Sequence, residues 1–211
     1  GLAVTYAKTL FARASAGVFL DYMMHLPMMV SMTLQQSNIV RILDVGGGMG
    51  NHYFSICCSV TENRRIDYHI VETEKTCRLG SDLFKNKERI HFHASLPKDL
   101  RDVDIIHMNG TLNYIEDYVG LLKALCAYKA RYFLFARLFA GDIPTYATVQ
   151  KITPELKVPF WFINIKEILN LMSAYGYSLK FKGCFGGEYN QQNFPPQYRL
   201  GRACCLLFAR D

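Results

Sequence analysis

The residues best suited to chemistry stand in one run, Ile42-Leu43-Asp44-Val45-Gly46-Gly47-Gly48-Met49-Gly50, where an apolar segment passes into four glycines within five positions. Glycine lets the backbone take positive φ and lets a ligand approach the main chain closely, at an entropic cost that a turn chosen for tightness alone does not require. A helix starting straight after such a turn aims its free N–H groups at an anion. The run therefore predicts a strand, a ligand-binding turn and a helix. Asp44, in the strand, and Gly46, Gly47, Gly48 and Gly50, in the turn, are the expected cofactor-binding residues.

Two cofactor classes use a turn of this kind, and spacing separates them. The dinucleotide pattern G-x-G-x-x-G needs glycine at Asn51 when started from Gly46 and at Tyr53 when started from Gly48. Tyr68-His69-Ile70-Val71-Glu72 reads as a second strand, ending in a carboxylate about 20 residues beyond the turn, where Rossmann-like sites bind the ribose hydroxyls. Glu72 is the expected ribose ligand and Glu74 the alternate. Asp44, which resembles the acidic strand residue of class I methyltransferases, and Glu72 together favour S-adenosyl-L-methionine, with S-adenosyl-L-homocysteine as product. A nicotinamide dinucleotide is the alternative. Ser95, after the third strand, is the candidate for the adenine edge, with an ordinary turn serine as the competing reading.

The fourth strand ends in Asn109-Gly110-Thr111-Leu112-Asn113-Tyr114, and open α/β sheets bind ligands beyond the carboxyl ends of their strands. Asn109 is expected against both cofactor and acceptor, Tyr114 and Arg137 beside the transferred methyl, and Gln150 and Trp161 against substrate. Methyl transfer from a sulfonium is an in-line displacement governed mostly by positioning, so a base matters only for a weakly acidic acceptor such as a sugar hydroxyl. His107 is the candidate base, although its place in an apolar strand equally suits a core histidine. Trp161, between Phe160 and Phe162, suits either stacking on a sugar or anchoring a helix. His91 and His93 share a strand face, but two ligands without a third do not make a metal site, so no metal is expected. Neither an Asn-Pro-Pro-Tyr run nor a Pro-Cys pair occurs, which argues against methylation of DNA bases.

Several of these runs recur together in one family. Ile42 to Gly50, His69-Ile70-Val71-Glu72, Gly110-Thr111-Leu112-Asn113-Tyr114-Ile115-Glu116-Asp117, Thr148-Val149-Gln150-Lys151 and Pro159-Phe160-Trp161-Phe162 resemble a methyltransferase family often encoded among bacterial surface-polysaccharide genes. The resemblance covers residues from about 39 to 180. It departs from the family's common pattern at Asn113, where glutamine is frequent, and at Ala136, where aspartate precedes the arginine that Arg137 matches. It implies a class I fold, S-adenosylmethionine as cofactor and a small or carbohydrate acceptor, methylated at oxygen in surface-polysaccharide or related biosynthesis. A non-catalytic cofactor-binding or scaffold protein is the alternative from another class.

The elements that must position these residues follow from periodicity. Residues 39–45, 67–72, 89–93, 103–109 and 131–138 read as strands, and 50–60, 74–86 and 116–129 as crossover helices, the alternation of a parallel sheet covered by helices. Asn164 and Glu167 suggest a capping box for a helix to Tyr175 that Gly176 ends. Residues 177–181 and 203–209 then read as a terminal hairpin joined by a flexible loop over 186–201. The fold expected is α/β: a Rossmann-like, seven-stranded, mostly parallel sheet with helices on both faces and an antiparallel C-terminal hairpin. Ahead of it, residues 1–38 read as a helical extension or lid, with one helix over 3–26 and a Met-rich segment from Pro27. Residues 39–211 then form the catalytic domain.

Composition bounds the rest. A chain of 211 residues, 50% hydrophobic with a mean hydropathy of +0.03, has material for one sizeable core. The net charge of +6 is scattered, which favours anionic small molecules modestly and gives no basic stripe for nucleic acid. Seven cysteines without a CxxC pair read as reduced, buried thiols of a cytoplasmic protein. No stretch reaches the roughly 18 apolar residues of a membrane span. The oligomeric state is not encoded in any of these patterns.

Overall fold

Val40–Val45, rich in branched side chains, form strand β1 and are buried along nearly the whole strand, Asp44 included. Parallel neighbours on both sides explain that burial: Ile42 faces Tyr68 of β2 (Ile66–Val71) and Ile105 of β4 (Ile105–Asn109). A strand covered on both faces reads as a continuous apolar run, so the one carboxylate within it must find partners inside the protein. The computed structural model describes residues 24–211. It divides them into two compact units whose boundary in sequence lies between His107 and Met108, within β4.

Among its described residues the first unit carries β1, β2, β3 (Ile90–His93) and the start of β4, with three α-helices. Helix α1 (His25–Leu34) buries Leu26, Val30 and Leu34. It begins two residues before the expected Pro27, and residues 34–38 after it are tied down by Arg65, which donates to the carbonyls of Leu34, Ser37 and Asn38. The methionines of this segment do not all fill the core: Met28 and Met32 are 60% and 69% exposed. The helix expected over 3–26 lies, for residues 3–23, outside the described residues, as does Met23. Helix α2 (Asn51–Ser59) follows the glycine turn directly, and α3 (Glu74–Leu83) starts from Thr73, whose hydroxyl accepts from Thr76 N.

The second unit contains α4 (Tyr118–Cys126), β5 (Tyr132–Leu138), β6 (Ala140–Gly141), β7 (Tyr146–Lys151) and β8 (Lys157–Asn164). It ends with α5 (Ile165–Ala174), β9 (Tyr177–Phe185) and β10 (Ala203–Arg210). Seven strands make one sheet in the order β3-β2-β1-β4-β5-β10-β9, with β10 antiparallel to both its neighbours. This is the Rossmann-like methyltransferase sheet with its antiparallel C-terminal pair, as the alternating pattern predicts. Among the described residues no helix is long and apolar enough to cross a membrane.

Four features depart from the sequence reading. The stretch before α5, to which the sequence reading assigns no element, forms a second sheet in the order β6-β8-β7. Pro159 sits in β8 without breaking it, because β6 pairs only with Ile163 and Asn164 and leaves one edge of β8 open at the proline. Asn164 caps α5 by accepting from Lys166 N, but Glu167 does not reach back to complete a box. Its carboxylate takes hydrogen bonds from Tyr118 and Thr145, and the Asn164 amide donates to Thr145 Oγ1. The loop over 186–201 is internally tied: Gln191, 7% exposed, accepts from Leu200 N and Gly201 N, and Arg199 donates to the Phe194 and Gln192 carbonyls. All seven cysteines are free; four are buried, but Cys58 and Cys184 are exposed.

Candidate functional site

In the first unit the glycine turn is built as its residue types require. Gly46, Gly48 and Gly50 take φ of 75°, 60° and 90°, a region that side chains with a Cβ rarely adopt. Gly46 N donates to Val71 O, fastening the turn to the end of β2. Gly47 is required for a different reason: a Cβ there would lie 2.5 Å from Asp44 Oδ2. A Cβ at Gly48 would meet nothing within 4 Å, so the turn is closed below by Asp44 and open on the Gly48 side.

The structure brings Glu72 to the Gly48 main chain. Its Oε1 accepts from Gly48 N at 3.3 Å and its Oε2 from Thr73 N at 2.8 Å, leaving a half-buried carboxylate beside the turn. Glu74, the alternate, is exposed in the first turn of α3, and Ser95 is exposed beyond β3. Asn51, opening α2, carries a buried Oδ1 with no hydrogen-bond partner next to Gly50.

Asp44 is fully buried and braces the turn from beneath. Oδ2 accepts from the Tyr68 hydroxyl at 2.6 Å, and Oδ1 lies 2.8 Å from His107 Nδ1. His52 Nδ1 stands 3.6 Å from Oδ2, and its ring meets that of His107 edge-on at 4.8 Å. Burial alone would raise the Asp44 carboxyl, but His107 and His52 outweigh it and hold it well below the usual carboxylate range. Burial pushes His107 down despite Asp44, so its ring is neutral near pH 7 and donates Nδ1–H. Burial and the Asp44 charge push the Tyr68 hydroxyl far up, so it too stays a donor. His107 is 1% exposed, which fits the core-histidine reading. Sequence reasoning missed Tyr68 and His52. Tyr68 was within reach of strand alternation, because Asp44 pairs with Ile70, two residues along the same face, whereas nothing in the pattern marks His52.

In the second unit Tyr114 and Gln150 meet at the β7–β8 pair, which also carries Trp161, while Asn109 and Arg137 stand at β4 and β5. The Tyr114 hydroxyl donates to Gln150 Oε1 at 2.7 Å, and the Tyr114 ring, 41% exposed, meets Phe160 edge-on at 5.1 Å. Asn113 is fully buried; its amide donates to Phe139 O and Trp161 O, and its Oδ1 accepts from Phe139 N. That clamp passes through the Trp161 backbone, and the indole Nε1 is buried without a partner. Asn109 is half-buried at the end of β4. Arg137 is exposed in β5 at a left-handed φ of 53°, where the β5–β10 register shifts. Its Cδ would lie 3.3 Å from a Cβ placed on Gly110.

Several solved structures of the same fold are methyltransferases. The N1-methyltransferase of 1,6-didemethyltoxoflavin from Burkholderia thailandensis, crystallised with S-adenosylhomocysteine, has a TM-score of 0.61 at 15% identity, over 100% of this chain and 87% of that one. A S-adenosylmethionine-dependent methyltransferase from Methanosarcina mazei has a TM-score of 0.58 at 11% identity, over 85% and 96% of the two chains. Magnesium protoporphyrin IX methyltransferase from Synechocystis, also with S-adenosylhomocysteine, has a TM-score of 0.57 at 12% identity, over 90% and 83%. No protein-family model matches the chain, and no curated protein is similar to it in sequence. The likeness is thus one of fold: this chain has the class I methyltransferase fold.

Proposed function

We propose that the chain is an S-adenosylmethionine-dependent methyltransferase. The observation that carries the reading is the Gly48–Glu72 pairing: a left-handed glycine turn with open space at Gly48, and a carboxylate from the end of the next strand bonded to the Gly48 N–H. An open turn suits the close approach of an amino-acid carboxylate to main-chain N–H groups, and an acid beside it suits two ribose hydroxyls. Gly46, Gly47, Gly48 and Gly50 would hold the methionine end and Glu72 the ribose. Asn51, with an unpaired buried acceptor at the same turn, is added to that set. The cofactor supplies an electrophilic methyl on sulfur; the protein's part is to hold donor and acceptor in line and to exclude water.

His107 belongs, in this reading, to the support of the turn through Asp44, and Asp44 acts from below without touching the ligand. Tyr114, Gln150 and Arg137 are the acceptor-side groups, Asn109 serves both sides, Ser95 serves the adenine, and Trp161 acts mainly as an anchor. The acceptor we propose is a small molecule or a carbohydrate, methylated at oxygen, in surface-polysaccharide or related biosynthesis in the cytoplasm. The carbohydrate part rests on the sequence resemblance. The fold's solved members act on acceptors as different as a toxoflavin precursor, a magnesium porphyrin and mitomycin, so the fold alone does not choose among them.

Calorimetric titration with S-adenosylmethionine, S-adenosylhomocysteine and NAD tests the reading. We expect saturable binding of the first two and none of NAD. Preference for NAD, or no binding of either sulfur compound, overturns it; donor binding without turnover on a broad panel of small-molecule and glycan acceptors overturns the catalytic part.

A further inference from the structure

Asp67 and His69 of β2 and His91 and His93 of β3 share one face at the edge of the sheet. Residues two apart on a strand point the same way, and the parallel register sets His69 beside His91 and Val71 beside His93. Helix α3 packs on the opposite face, where the Phe92 ring fills the space a Cβ at Gly80 would need. On the histidine face, β3 runs to β4 through residues 94–104, which contain no helix.

The polar atoms on this face converge. His91 Nε2 lies 3.0 Å and His69 Nε2 3.3 Å from the same atom, Asp67 Oδ1, while Arg41 Nε holds Oδ2 at 2.8 Å. His69 Nδ1 lies 3.0 Å from His93 Nε2. With His69 Nδ1 as the donor to His93 Nε2, the ring would present the lone pair of its Nε2 to Asp67 Oδ1. His69 is only 9% exposed, and its Nε2 makes no hydrogen bond. In that tautomer Asp67 Oδ1 and His69 Nε2, 3.3 Å apart, are both acceptors, and a cation beside them would partner both.

We infer that Asp67 Oδ1, His69 Nε2 and His91 Nε2 form a binding site for a divalent transition-metal cation such as zinc, with solvent completing the coordination where His91 is exposed. Tetrahedral zinc with bonds of about 2.0–2.1 Å spaces its ligand atoms about 3.3 Å apart. The two carboxylate-to-nitrogen separations already match that spacing, and all three atoms lie within 4.8 Å of one another. His93, as acceptor from His69 Nδ1, would hold that ring in its ligating orientation, and Arg41 fixes the carboxylate, the supporting bonds that metal ligands require. The neighbouring set Asp44, His52 and His107 is different in kind, since both Asp44 oxygens already accept hydrogen bonds or face His107 at bonding distance.

Calorimetric titration of the full chain with Zn²⁺, in wild type and in His91→Asn, tests the site. The His91 side chain is 41% exposed, so its replacement leaves the fold intact, which a thermal melt verifies. We expect one saturable site whose affinity falls about tenfold or more in His91→Asn and in Asp67→Asn, and Co²⁺ in place of zinc to give a tetrahedral visible spectrum that His91→Asn abolishes. Absence of wild-type binding, an affinity unchanged in His91→Asn, or loss of binding on His52→Ala in its place overturns the assignment.

Discussion

Gly47 and Asp44 are matched to each other: the carboxylate Oδ2 occupies the position a Cβ on Gly47 would need, at 2.5 Å. The Asp44 side chain cannot give way easily, because Tyr68 and His107 hold both its oxygens inside the core. Gly47→Ala should therefore destabilise the protein by about 1–3 kcal/mol, the usual cost of overpacking a filled site. Gly48→Ala, with open space around it, should cost only the left-handed strain of about 1–2 kcal/mol yet place a methyl on the open side of the turn. Chemical denaturation paired with S-adenosylhomocysteine titration separates the two: Gly48→Ala should lose more binding relative to its loss of stability. Equal effects in both assays would contradict this division of roles.

Glu72 is half-buried and holds only two main-chain amides, so its carboxylate is positioned without being consumed. Glu72→Gln keeps the shape and one acceptor oxygen but removes the charge. Hydrogen bonds to a charged group contribute about 1.5–3 kcal/mol, so affinity for S-adenosylhomocysteine should fall by about one to two orders of magnitude. The denaturation midpoint should stay within the range of a surface substitution. A variant that binds as tightly as wild type would remove Glu72 from the ribose.

The parts of this site legible in the sequence are those fixed by local chemistry. Four glycines after an apolar run reveal the turn whatever surrounds it, and a carboxylate ending the next strand reveals Glu72. What could not be read depends on register. The Asp67, His69 and His91 cluster exists only because β2 and β3 pair with His69 opposite His91, and two histidines on one strand predict no third ligand. The β6–β8 sheet was hidden because Pro159 argues against a strand unless one edge is known to be open. Asn113 reads as one more polar loop residue, yet it is fully buried and bonded to Phe139 and Trp161, partners 26 and 48 residues away.

Acid should weaken the protein through His107 before it reaches any carboxylate. Burial lowers the folded-state pKa of His107, whereas in the unfolded chain it titrates near its ordinary value of about 6.5. Below that pH the unfolded chain binds the extra proton, so stability falls with falling pH, by up to about 1.4 kcal/mol per unit for one such group. His93 is shifted the same way, chiefly by burial. Asp44, held well below the usual range, contributes stability above the ordinary carboxylate pKa and loses it only at lower pH still. Denaturation at pH 7.5, 6.5 and 5.5 should show this decline, reduced in His107→Asn and, separately, in His93→Gln. Were His107 instead charged and paired with Asp44, stability would rise on acidification from pH 7.

Arg137 carries a backbone conformation that its residue type does not favour. Its φ of 53° falls where the β5–β10 register shifts, and its side chain is exposed, so no packing compensates for the strain. A left-handed residue with a Cβ costs about 1–2 kcal/mol, and glycine removes most of that while adding some chain entropy to the unfolded state. Arg137→Gly should thus raise stability by about 0.5–1 kcal/mol, an unusual direction for a change within a strand. Strain of this kind persists where it aims a side chain at a task, and the proposed task is the acceptor. Turnover on whichever acceptor the panel identifies should then fall in Arg137→Gly while S-adenosylhomocysteine affinity stays at the wild-type value. A variant that is more stable and fully active would take Arg137 out of the acceptor site and leave the bulge as a feature of the sheet alone.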